Sequence, residues 1–281
     1  MSDAACSARR TCGLAIALAA LGLVAFAAWN GDRPRASRPD AGLGEGELIV
    51  FAAASLREAF SVIAEDFERA HPGVDVVFNF AGTQELRTQL EHGAACDVLA
   101  SADLRHVDEL VKRGRVRTPV IFARNEPVMV VAPEASSSIR SLADLPNAER
   151  IVIGAAEVPI GRYTLALLDR AAATLGADFR SRVLARVVSR EPNVRQVLAK
   201  VRLGEAHAGV VYRTDVRGDA AVVVVAIPGD VNVIADYPIA VVSDAAQPGL
   251  AQAFIEHVRS NDGQAALRRA GFLAPTSTAT P

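Results

Sequence analysis

From Glu47 onward the chain alternates short apolar runs with amphipathic segments, and this alternation constrains the fold more than any other feature. It is the pattern of βα units, in which helices between strands cover both faces of a parallel sheet and leave the strands as near-continuous apolar runs. Strands are expected at 48–53, 74–80, 97–100, 128–131, 151–154, 209–212, 222–227 and 239–242. Between them, Leu56, Ala59, Phe60, Ile63, Ala64 and Phe67 repeat at helical spacing and predict one apolar helix face, stopped by Pro72-Gly73. Val194, Val197, Leu198 and Val201 predict another after Pro192-Asn193, and Leu250, Phe254, Ile255 and Val258 a third. The expected class is α/β, with mostly parallel sheets flanked by helices.

Size and charge narrow the function. A chain of 281 residues, 51% hydrophobic and 22% charged, can bury a core large enough for one large domain or two. Its net charge of −2 gives no basic surplus, so no nucleic-acid partner is expected. Arg9 and Arg10 precede an uncharged apolar stretch, Gly13 to Trp29, which reads as an export signal. Ala25-Phe26-Ala27 fits a cleavage site, while retention would tether the protein to the membrane through residues 13–29; both fates put the rest of the chain outside the cytoplasm, in the periplasm or its equivalent. Residues 30–46, with Pro34, Pro39 and several glycines, read as a flexible linker. Cys96 is the one cysteine beyond the leader and reads as a small buried apolar residue.

Four strand-to-helix junctions carry the chemical signal: Ala52-Ala53-Ala54-Ser55, Phe80-Ala81-Gly82-Thr83, Val158-Pro159-Ile160-Gly161 and Pro192-Asn193-Val194. The first turn of a helix has N–H groups without intrahelical acceptors and about half a positive charge, so several such ends meeting at one point form an anion site without a cation. Tyr212, closing the run Gly209-Val210-Val211, offers a phenolic donor. Neutral donors in a rigid ring suit an anion with no proton to share, selected by size.

In order and spacing, Phe51-Ala-Ala-Ala-Ser55-Leu56, Phe80-Ala-Gly-Thr83, Asp97-Val-Leu-Ala-Ser101-Ala-Asp103, Val158-Pro-Ile-Gly161-Arg-Tyr163, Asn193-Val194-Arg195 and Gly209-Val-Val-Tyr212 resemble periplasmic molybdate-binding proteins, from Glu47 to Phe272. The resemblance implies a class II periplasmic-binding fold: two lobes joined by two chain crossings, with a tetrahedral oxyanion, molybdate or tungstate, in the cleft between them. It assigns hydroxyl and backbone donors to Ser55 and Thr83, backbone N–H groups to Ala53, Ile160 and Val194, and a phenol to Tyr212. Thr83 stands where some members have serine, and Ile160 where others have alanine. The implied partner is an ABC-type permease, and the protein is expected to act as a monomer without a cofactor. The metal would enter only inside the oxyanion, with no residue ligating a metal ion directly. The first lobe is expected over 47–124 plus 237–272 and the second over 127–235, with crossings near Asn125 and Asp236 and a disordered tail at 273–281.

Each of these residues also has an ordinary structural reading. Ser55-Leu56-Arg57-Glu58 and Asn193 with Gln196 are capping-box patterns, and Asp103 suits a helix cap. Tyr212 alone reads as a core tyrosine. Arg57, Arg162, Arg195 and Arg213 each sit within two positions of a proposed donor and challenge the cation-free scheme; they are expected to point away from the ligand. An enzyme is the rival class, but the five histidines have no metal-ligand spacing, and neither G-x-S-x-G nor a P-loop occurs. The sensor lobe of a transcription regulator is a second rival, opposed by an export signal where DNA-binding helices would stand. Sulfate, phosphate or an organic anion remain alternative ligands.

Overall fold

The computed structural model describes residues 45–276. The expected export signal, most of the linker and the last residues of the tail lie outside them. Among the described residues no helix is long and apolar enough to cross a membrane.

In chain order the strands are β1 (Gly46–Ala53), β2 (Val74–Ala81), β3 (Val98–Ala100), β4 (Val120–Asn125), β5 (Pro127–Val131), β6 (Ile151–Gly154), β7 (Val187–Glu191), β8 (Ala208–Tyr212), β9 (Val223–Val225) and β10 (Ala235–Val241). The helices are α1 (Arg57–Ala70), α2 (Thr83–Glu91), α3 (Leu104–Lys112), α4 (Pro159–Leu175), α5 (Phe179–Leu184), α6 (Val194–Arg202), α7 (Pro248–Arg259) and α8 (Asn261–Ala270). They form two five-stranded sheets, ordered β2-β1-β3-β10-β4 and β7-β6-β8-β5-β9, so the protein is a two-lobed α/β fold.

The sheets are mixed rather than mostly parallel. β1 runs parallel to β2 and β3, and β6 to β7 and β8, as βα units require. β10 lies antiparallel to β3 and β4 because it is the chain returning from the second lobe, and β5 runs antiparallel to β8 and β9 because it enters that lobe from the first. Pro238, which has no N–H to donate, sits at a bulge where the register of β10 against β4 shifts.

Period-two alternation in β1 distributes its side chains over both faces. Leu48, Val50 and Ala52 join the core under α1, where Phe60, Phe67, Phe122 and Phe254 meet at ring distances of 5.4 to 6.0 Å. Phe51 faces the other way, onto Leu86 and Leu90 of α2, Val107 and Leu110 of α3, and Cys96, which is buried as expected. Between these layers lies Asp97, almost wholly buried. Its two carboxylate oxygens accept the N–H groups of Ile49 and Gln247 at 2.9 and 2.8 Å, tying β1 to the loop before α7. Asp97→Ala leaves two partly buried donors unpaired at about 1–3 kcal/mol each, so a urea melt should show up to about 2–6 kcal/mol lost.

The chain leaves the first sheet at Asn125 and enters the second at Pro127. The return comes slightly earlier than the expected crossing near Asp236: Ala235 and Asp236 already pair with Asn125 and Arg124 in the first sheet, so the two crossings lie side by side. The start of the expected disordered tail is also fixed, since Leu273 exchanges both backbone hydrogen bonds with Arg124.

Candidate anion-binding site

Each of the four junctions is a helix start. Ala53 ends β1, and a 3-10 turn, Ala54–Leu56, leads into α1; Gly82 caps α2, Val158 precedes α4, and Asn193 caps α6 through its side chain, which accepts the Gln196 N–H at 3.1 Å. Two glycines permit the approach. A Cβ on Gly161 would strike the carbonyls of Gly154 and Ala155, so its absence lets the first turn of α4 sit on the end of β6. A Cβ on Gly82 would collide with the carbonyl oxygen of Pro192, which belongs to the other lobe.

The six expected site residues, Ala53, Ser55, Thr83, Ile160, Val194 and Tyr212, all line one cavity between the lobes, and all are buried. Ala54, Gly82, Ala102, Pro159 and Asn193 complete most of its wall. Its volume is about 20 Å³ for the centre of a water-sized sphere. One water needs about 10–15 Å³ by that measure, so the space suits a compact ion rather than an organic acid with a carbon chain.

The wall is built of donors. By position, the N–H groups of Ser55, Thr83, Ile160 and Val194 lie in first helical turns and have no intrahelical acceptor. The Thr83 hydroxyl accepts the Ala102 N–H at 3.2 Å, which leaves its proton free. The Ser55 hydroxyl is not a helix cap: it lies 2.8 Å from the Tyr237 hydroxyl, and no side chain caps the 3-10 turn or α1. The Tyr212 hydroxyl is buried and has no hydrogen-bond partner among the described residues. Burial, reinforced by its neighbours Tyr237 and Tyr163, holds that phenol well above its ordinary range, so it remains a protonated donor. Its backbone is fixed from behind, where Asp215 accepts the Tyr212 N–H at 3.0 Å; burial pushes the Asp215 carboxyl up to about 6.

Among the described residues no cation lines the cavity, and all four neighbouring arginines are engaged elsewhere. The guanidinium of Arg57 stacks over Phe80 at 4.5 Å. Arg213 pairs with Glu126 at 2.7 Å. Arg162 lies 3.2 Å from Asp103, which also caps α3 by accepting the His106 N–H. Arg195 pairs with Glu58 and lies 3.3 Å from Asp215. The Arg162 and Arg195 pairs cross the cleft, as do Gln84 to the Pro192 carbonyl at 2.7 Å and His106 Nε2 to the Glu157 carbonyl at 2.8 Å. Burial keeps His106 below the usual imidazole range, so it is neutral and donates this last bond. Among the described residues no cluster of His, Cys, Asp and Glu could hold a metal ion.

The family model described as bacterial extracellular solute-binding protein matches residues 48–273. The chain belongs to that family. The family is one of solute-binding proteins rather than enzymes, and the choice falls against an enzyme. The molybdate-binding protein ModA of Mycobacterium tuberculosis strain H37Rv is 39% identical over 266 residues, covering 94% of this chain and 97% of that one. Among solved structures, the periplasmic molybdate-binding protein of Azotobacter vinelandii superposes with a TM-score of 0.71 at 18% identity, covering 81% of this chain and 99% of that one. The sulfate-binding protein SubI of M. tuberculosis superposes at 0.72 with 21% identity, covering 82% and 88%. At such identities the two structures establish the shared fold, and leave the choice of anion to the cavity.

Sequence reasoning assembled the six wall residues but missed Tyr237 and Asn125 behind them. Tyr237 is a buried tyrosine in an apolar strand, with no local mark separating it from core. Only its contact with Ser55, 182 positions away, gives it meaning.

Proposed function

We propose that this protein captures molybdate or tungstate outside the cytoplasm and delivers it to the permease of an ABC importer. The observation that carries the reading is the Tyr212 hydroxyl, a buried donor with no partner among the described residues, at a cavity of ionic size where those residues offer first-turn N–H groups and hydroxyls but no cation. An unpaired buried hydroxyl costs free energy unless a ligand takes its hydrogen bond, and an oxyanion supplies that acceptor. Likeness to curated molybdate-binding proteins along nearly the whole chain supports the same ligand.

The lobes meet through contacts that would part on opening, while the paired crossings at Asn125 and Ala235 would act as the hinge. A bound anion favours the closed form because only there do both lobes reach it, and the closed form becomes the shape read by the permease. Neutral donors keep binding reversible, as delivery requires. The anion is cargo, so no cofactor enters, and a single chain holds the complete site.

Calorimetric titration of the purified protein with molybdate, tungstate, sulfate and phosphate tests the assignment. Tight one-to-one binding of the first two is expected, with sulfate at least about a hundredfold weaker, a gap of about 2.7 kcal/mol. Preference for sulfate or phosphate would overturn the ligand while keeping the role.

A further inference from the structure

Behind the cavity the hydrogen-bond directions are set by a chain of donors that starts at the hinge. The side-chain oxygen of Asn125 accepts the Glu126 N–H at 2.9 Å. A backbone N–H can only donate, so this bond decides which end of the amide is oxygen and leaves Nδ2 as a donor for both its protons. One goes to Thr214 Oγ1 at 2.9 Å and the other to the Tyr237 hydroxyl at 3.3 Å. Tyr237 is wholly buried and keeps its proton. With a lone pair turned to Asn125, it directs that proton at Ser55 Oγ, 2.8 Å away. Ser55 therefore receives from behind, and its own proton has no acceptor among the described residues. Thr83 is ordered likewise by the Ala102 N–H.

We infer that Tyr237, held by Asn125, is a positioning residue that locks the Ser55 hydroxyl as a donor, so that the site takes tetrahedral anions without a proton and rejects those that carry one. The inference rests on the anion-binding reading above. A hydrogen phosphate has an O–H that needs an acceptor, and a wall that presents the Ser55 and Thr83 hydroxyls as donors turns proton against proton there. Sulfate and hydrogen phosphate at matched charge are of similar size, so the proton is what separates them.

The test is Tyr237→Phe, which keeps the ring against Phe122, Tyr212 and Phe272 and removes the one atom that orients Ser55. Affinities for molybdate, and for sulfate and hydrogen phosphate by competition with molybdate, are measured where phosphate is the dianion. In the variant Ser55 can turn and accept, so the ratio of hydrogen phosphate to sulfate affinity should rise about tenfold, while molybdate binds roughly three- to tenfold more weakly. With Ser55→Ala already in place, Tyr237→Phe should change neither quantity more than about twofold, because the residue acts through Ser55. A loss of packing alone would weaken all anions together. An unchanged ratio, or an equal effect without the Ser55 hydroxyl, overturns this inference and leaves the anion reading standing. If none of the three anions binds the unmodified protein, the anion reading falls and this one with it.

Discussion

Gly82→Ala should leave the protein folded and cost it tight anion capture. Gly82 has φ −64° and ψ 140°, a conformation open to alanine. The loss of glycine's cap preference and the gain from a less flexible unfolded chain offset each other, so the unliganded melting midpoint should move by less than the equivalent of about 1 kcal/mol. The added methyl meets Pro192 only when the lobes close, and it would displace the Gln84 bond to that same carbonyl. A ligand held by one lobe keeps only part of its donors, so molybdate affinity should drop at least a hundredfold, about 2.7 kcal/mol. Titration calorimetry beside a thermal melt separates the two effects. A variant that melts normally and binds normally would remove lobe closure from the account.

Tyr212→Phe separates binding from stability in a different way. The ring keeps its edge contacts with Tyr163 and Tyr237, and the hydroxyl it loses has no partner among the described residues, so the unliganded protein should be unchanged or slightly more stable. A hydrogen bond to a charged ligand contributes about 1.5–3 kcal/mol, so molybdate should bind roughly 10- to 150-fold more weakly. Because the phenol stays protonated, its contribution should be flat across the neutral pH range. Unchanged affinity would take Tyr212 out of the site.

What the sequence made legible follows from which signals are local. The apolar face of α1 and the helix starts at Gly82, Val158 and Asn193 are written in spacing and caps, while the choice of the six wall residues comes from the resemblance to molybdate-binding proteins. β7 escaped because it is an edge strand: Val188 and Arg190 face solvent, and its run Val187-Val-Ser-Arg-Glu has no continuous apolar stretch. β4 escaped because it passes into β5 across a single residue, without the intervening helix that announces a βα unit. Mixed rather than parallel sheets follow from the same fact, since strands that carry the chain between lobes obey the hinge and not the βα rule. Ser55 looked like a cap because Glu58 stands three residues on, yet Tyr237 takes the hydroxyl and Arg195 takes Glu58. Both competing partners come from far along the chain, and local pattern cannot register them. The four arginines near the donors were the strongest reason to doubt a cation-free site; their carboxylate and aromatic partners are equally nonlocal.

The central claim is that an oxyanion is held between the lobes by neutral donors alone. A crystal structure of the protein grown with molybdate, phased on the anomalous signal of molybdenum, tests it most directly. The account predicts one peak enclosed by Ser55, Thr83, Ile160, Val194 and Tyr212, with Arg162 still on Asp103 and Arg195 still on Glu58. Molybdenum found beside a guanidinium, or outside this cavity, would contradict it.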